Sequence, residues 1–170
     1  WSESVALARR HGVKIYACLA ESRVRDAEGA AARNSLEALR ARAAAAWAAG
    51  VDGIQMFNHF DPHSPLWREL GDPAVLRPLP KVYFASVQGA STSRGYYPAQ
   101  RHITLPTLTP DAPETIAAGG SRTYDLHVGD DLRAGGPLRA TLQLRTGAPV
   151  TAVRVQWNDV DLTPIRTAAG

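Results

Sequence analysis

The stretch "VKIYACLAE", residues 13–21, decides how the chain is read, because a continuous strand-forming run ends there on a carboxylate. Short apolar runs without polar alternation are typical of strands covered on both faces, as in parallel sheets flanked by helices. "VDGIQMFNHF", residues 51–60, has the same character. Between the two, "NSLEALRARAAAAWAAG", residues 34–50, predicts a helix. Leu36, Leu39, Ala43, Ala46 and Trp47 recur at three- and four-residue spacing, and Gly50 supplies a stop. Asn34 and Glu37 stand at capping-box spacing. Strand, helix, strand in this order predicts a parallel βα unit.

Working outward, "SESVALARRHG" (2–12) has Ser2 as a cap, Glu3 in its first turn and Gly12 as a stop, so it predicts a helix. "SRVRDAEGAAAR" (22–33) is small and polar and reads as a loop. "SPLWREL" (64–70) predicts a short helix capped by Ser64, with Pro65 at its first position. Two strands can neither close a barrel nor cover both of their own faces, so residues 1–84 are expected to be βα units of a larger α/β domain, and the chain a piece of a longer protein. Residues 85–120, rich in Gly, Ser, Thr and Pro, read as an irregular linker. Residues 121–170 read as all-β, with alternation in "RTYDLHV" (122–128), "LRATLQLR" (138–145) and "VTAVRVQW" (150–157). Asn158-Asp159 suits a tight hairpin turn. That gives a partial antiparallel β-sandwich.

Composition narrows the function classes. Hydrophobic residues are 45% and charged residues 21% of the chain, ordinary for a globular protein. The net charge of +3 is spread over both halves with no basic patch, which argues against a nucleic-acid partner. The longest apolar run, "AAAAWAA", is too short to span a membrane. Cys18 is the single cysteine, so no internal disulfide or cysteine-rich zinc site forms, and mid-strand it reads as a small buried residue. No nucleophile-elbow G-x-S-x-G and no phosphate loop follows either strand.

"KIYACLAES", "AAAAWAAGVDGIQMFNHFDP" and "PLWRELGDPAVLRPLPKVYF" together resemble the C-terminal end of a bacterial glycoside-hydrolase-like (β/α)8 barrel of TIM type. "LHVGDDL" and "VRVQWNDVDL" resemble segments of the jelly-roll-like β-sandwich that often follows such barrels. The likeness covers residues 1–80 and, more loosely, 120–165. It implies that residues 14–21 are barrel strand 7 and residues 52–59 strand 8, with the active site at their carboxyl ends. In the large retaining-glycosidase clan on this fold the nucleophilic glutamate ends strand 7, and Glu21 falls there. The acid/base glutamate belongs to strand 4, outside this chain. In that clan strand 8 often ends on tryptophan, whereas here it ends "FNHF". The implied parent acts on poly- or oligosaccharide without a cofactor, this piece alone being inactive. A non-catalytic carbohydrate-binding or cell-surface barrel protein is the alternative. For the polysaccharide-acting parent the resemblance alone implies a secreted or periplasmic location.

Glycoside hydrolysis needs two carboxyl groups, roughly 5–5.5 Å apart for retention and roughly 6.5–9.5 Å for inversion. Glu21 is the catalytic candidate, its other reading being an exposed loop residue paired with Arg23 or Arg25. In "NHFDPH" (58–63), Asn58 and His59 are expected to line a substrate pocket, and Asp61 and His63 to shape the turn, with no metal site. Gln55 reads as a hydrogen-bonded core residue, and Trp47 and Trp67 as core. Tyr96 and Tyr97 read as linker residues able to pack between domains. The Asp130-Asp131 pair reads as an acidic hairpin end rather than a calcium site.

Overall fold

Residues 16–19 alternate between two environments: Ala17 and Leu19 are fully buried, while Tyr16 and Cys18 are exposed. The computed structural model describes residues 1–20, 27–85, 114–133, 139–144 and 154–163. In chain order these carry α1 (Ser2–Arg10), β1 (Tyr16–Leu19), α2 (Ala27–Arg33), α3 (Leu36–Ala49), β2 (Gly53–Met56), α4 (Leu66–Glu69), α5 (Pro73–Leu76), β3 (Val155–Trp157) and β4 (Val160–Leu162). The chain divides into two compact units, Trp1–Gly136 and Pro137–Gly170.

In the first unit β1 and β2 pair in parallel, Tyr16 opposite Gly53 and Leu19 opposite Met56. Asp52 fixes the entry to the pair: its N–H donates to Ile15 O and its Oδ2 accepts from Ile15 N, both at 2.8 Å. At the other end Phe57 N donates to Leu19 O at 2.8 Å, so the two carboxyl ends lie side by side. Ala17, Leu19, Ile54 and Met56 face the helices and join the apolar clusters with Leu39, Ala43, Ala46 and Val5.

The opposite face differs from the sequence expectation. Tyr16, Cys18, Gln55 and Phe57 are all exposed, so the pair is covered on one face only among the described residues. Cys18 is therefore not buried and Gln55 is not a core residue. Both project away from the helix layer, where a period of two must put them.

Helix α3 is the spine of this unit. Ser35, not Asn34, is its N-cap, with Oγ accepting from Ala38 N at 3.2 Å. Gly50 ends it in the left-handed region at φ 90°. Its alanines, Ala38, Ala41, Ala43, Ala44 and Ala46, are buried on several sides, whereas Leu36, expected on the buried stripe, is exposed. Small side chains let other segments approach closely, and a Cβ at Gly129 would overlap the backbone of Ala44 and Ala45. Helix α2 occupies part of the expected loop. "AEGAAAR" is alanine-rich, with Glu28 in the first turn and Arg33 in the last, a pattern that favours helix. At the amino terminus Ser2 opens α1 without capping it by a side-chain hydrogen bond.

Helix α4 is clamped to α3. Arg40 donates to Glu69 through Nε at 2.8 Å and Nη2 at 3.0 Å, and Trp47 Nε1 donates to Leu70 O at 2.9 Å. Leu66, Leu70 and Leu76 fill the space beneath. Pro65 takes the N-cap place of α4, and the buried Ser64 accepts from Leu66 N at 3.4 Å. Farther on, Asp130 ties two segments together: Lys81 Nζ lies 3.1 Å from its Oδ1, and Tyr83 OH donates to its Oδ2 at 2.9 Å. Asp131 accepts from Arg133 N at 2.9 Å. The acidic pair thus serves internal hydrogen bonds.

In the second unit β3 and β4 form an antiparallel hairpin, Val155 opposite Leu162. Asn158 (φ 47°) and Asp159 (φ 67°) make its two-residue turn, where the sequence placed one. Residues 122–128 and 139–144 carry no strand, although alternation predicted one in each. Alternation expresses a strand only where a neighbour pairs with it. Tyr96, Tyr97 and most of the expected linker lie outside the described residues. Among the described residues no helix is long and apolar enough to cross a membrane.

Candidate functional site

Parallel pairing brings the residues after β1 and those after β2 to one end of the sheet. A pocket of about 150 Å³ opens there. Leu19, Leu39, Met56 and Leu66 form its apolar wall. Asn34, Asn58 and His59 add an amide, a second amide and an imidazole, and Phe57 and Leu36 complete the lining. Apolar cavities of about this size accept a benzene ring, so the space suits one ring edge or one substituent rather than a whole oligosaccharide.

Local backbone geometry explains how Asn58 and His59 reach the pocket. Asn58 has φ 54°, in the left-handed region that asparagine tolerates better than most residues. That single residue turns the chain at the end of β2. Asp61 then closes an Asx turn, Oδ1 accepting from His63 N at 2.9 Å, and Asp61 O accepts from Trp67 Nε1 at 2.6 Å. Asp61 and His63 therefore shape the loop.

His59 packs its ring against Trp67, centroids 5.2 Å apart and planes at 59°, a tilted arrangement favoured by aromatic quadrupoles. Its Nε2 is buried and has no hydrogen-bond partner among the described residues. An unsatisfied buried nitrogen costs about 1–3 kcal/mol. Such a cost is tolerated where a ligand group or water completes the bond.

Behind the pocket, Arg42 donates from Nη1 to Ala20 O at 2.8 Å, holding the carboxyl end of β1 against α3. Burial pulls the Arg42 guanidinium below its ordinary pKa. It does the same to Arg33, with repulsion from Arg42 as a lesser cause.

Of the residues singled out from sequence, Asn58 and His59 share this pocket, and Gln55 lies on the open sheet face. Glu21 lies outside the described residues, following Ala20 directly in the chain. Among the described residues the lining has no carboxylate, and no cluster of three or more His, Cys, Asp or Glu side chains is placed to hold a metal ion. Sequence reasoning missed Trp67, which is 48% exposed instead of core, and Phe57, which is 45% exposed on the pocket wall. It also missed Asn34, which lines the pocket while its neighbour Ser35 caps α3.

No protein-family model matches the chain, and no curated protein or solved structure matches it.

Proposed function

We propose that residues 1–84 are the last βα units of a glycoside-hydrolase-like (β/α)8 barrel and that the pocket at the carboxyl ends of β1 and β2 contacts a carbohydrate substrate. One observation carries the reading: Asn58 and His59 line a single pocket at the shared carboxyl end of a parallel strand pair. Parallel βα folds put their ligands at this end. Glu21, which follows β1, is the proposed catalytic carboxylate. Its partner carboxylate lies, in this reading, beyond residues 1–170, so the chain alone binds but does not hydrolyse. In this reading residues 121–170 belong to an accessory β-sandwich, of which residues 121–136 fall in the first compact unit.

A second reading is a non-catalytic carbohydrate-binding barrel, supported by the amides, imidazole and apolar groups that line the pocket. One set of measurements separates the two. Titration of the 170-residue chain with cellohexaose, xylohexaose, mannohexaose and laminarihexaose by calorimetry is expected to give saturable binding to at least one. Asn58→Ala and His59→Ala are each expected to weaken it about tenfold, or roughly 1.4 kcal/mol. Binding to none of the four overturns the carbohydrate reading. In a protein that carries the chain within a full barrel, Glu21→Gln is expected to abolish hydrolysis and retain binding. Hydrolysis that survives Glu21→Gln removes Glu21 as the catalytic carboxylate, whereas binding without any hydrolysis in the full barrel leaves only the binding reading.

A further inference from the structure

Trp67 packs against His59 of the pocket lining but has no part in the function proposed above. A tryptophan is usually among the most buried side chains, and its indole N–H finds a partner when the ring packs. Here the N–H is already engaged with Asp61 O, and one side of the ring meets His59, yet the side chain stays 48% exposed. The bond to Asp61 and the contact with His59 hold the ring where it is. Its helix is held by Arg40 through Glu69 and by Trp47 through Leu70, with the adjacent Leu66 fully buried. An aromatic surface fixed before a ligand arrives loses little conformational entropy on binding. Phe57 and Phe60, in the same segment, are 45% and 85% exposed.

We propose that Trp67 is a stacking residue, its exposed ring face receiving the apolar C–H face of a pyranose whose neighbouring ring or substituent enters the pocket beside His59. The inference rests on the carbohydrate reading of the site. A pyranose with equatorial hydroxyls has a face of C–H groups and a polar rim. The negative face of an indole attracts the former, and Asn58 and His59 supply hydrogen bonds to the latter.

Two substitutions separate stacking from mere loop support, because both remove the indole N–H bonded to Asp61. Trp67→Phe keeps an aromatic face and is expected to bind the responsive hexasaccharide within about threefold of the parent chain. Trp67→Leu is expected to bind at least about tenfold more weakly, or roughly 1.4 kcal/mol. Equal weakening in both variants, or parent-like binding by Trp67→Leu, overturns the proposal. Should Trp67→Leu fail to fold, intermolecular nuclear Overhauser effects in the parent chain decide: contacts between pyranose C–H protons and the Trp67 ring support stacking, and their absence overturns it. Sugar binding that responds to Asn58→Ala but not to Trp67 leaves the carbohydrate reading standing and removes this inference alone. Binding to none of the four sugars removes both.

Discussion

Arg40 and Glu69 meet through two hydrogen bonds of 2.8 and 3.0 Å, with side chains only 10% and 15% exposed. The pair joins the amino-terminal half of α3 to the last residue of α4, and so sets where Trp67 stands. Glu69 hydrogen bonding, outweighing desolvation, raises the Arg40 pKa, and Glu37 at 3.7 Å adds a weaker attraction. Glu69→Leu strands a nearly buried guanidinium, a change that typically costs about 3–5 kcal/mol. Glu37 reduces that cost, so about 3 kcal/mol is expected by urea unfolding. Arg40→Met with Glu69→Leu removes both charges and is expected to recover most of the loss. A double variant no more stable than Glu69→Leu alone contradicts this account.

Gly129 presses against the backbone of Ala44 and Ala45, leaving no room for a methyl group. Gly129→Ala therefore forces the segment around residue 129 away from α3. Overpacking of this kind costs about 1–3 kcal/mol. Limited proteolysis is expected to cut within residues 114–133 several times faster in the variant. Ala44→Gly cannot relieve the overlap, since the clashing atoms are main-chain.

Tyr83 gives the same contact an alkaline limit. Burial, and secondarily its hydrogen bond to Asp130, push the phenol well above the ordinary value of 10.0. The folded form thus favours the protonated phenol. Its contribution is complete below about pH 10 and is lost as pH rises from there towards the folded pKa. Absorbance at 295 nm is expected to show a late Tyr83 step together with loss of the docked segment, beside a rise in the Tyr124 pKa that its hydrogen bond to Glu114 causes. Tyr83→Phe removes that late step and costs about 1 kcal/mol at neutral pH, the usual net value of one hydrogen bond. Lys81 remains on Asp130 in that variant.

The parallel unit was legible because apolar runs on either side of a Gly-terminated helix have few other solutions. Asn58 and His59 were legible as polar groups directly after a strand. The open sheet face was not, since Tyr16, Cys18 and Phe57 on it are as apolar as the covered Ala17 and Leu19. An apolar run without alternation hides which face is covered. Trp67 was misread for a geometric reason: Leu66 and Leu70 are four apart and share the buried side of a helical turn, while the adjacent Trp67 is rotated about 100° from Leu66 and cannot join them. The cap of α3 was misplaced by one residue because Asn34 and Ser35 are both good caps, and tertiary contacts chose between them.

The β3–β4 hairpin turns on two residues with positive φ, and neither is glycine. The two-residue turn of this kind favours glycine at its second position, because an L side chain in the left-handed region crowds its own backbone. Asp159→Gly removes that crowding at φ 67°, while the added freedom of the unfolded glycine opposes part of the gain. A net gain of about 0.5 kcal/mol is expected, and Asp159→Ala is expected to lose about the same. Cross-strand Overhauser effects between Val155 and Leu162 measure the change directly. The neighbouring Arg154–Asp161 pair, bonded at 2.7 and 2.8 Å, makes the effect depend on pH. Hydrogen bonding to Arg154 lowers the Asp161 pKa below its ordinary 3.8, so its support is present above that value and disappears as acid titrates the folded carboxylate. At a pH acid enough to protonate Asp161, Asp159→Gly is therefore expected to retain more of the hairpin than the parent chain does. Equal loss of the cross-strand contacts in both proteins at that pH contradicts the turn as an independent source of hairpin stability.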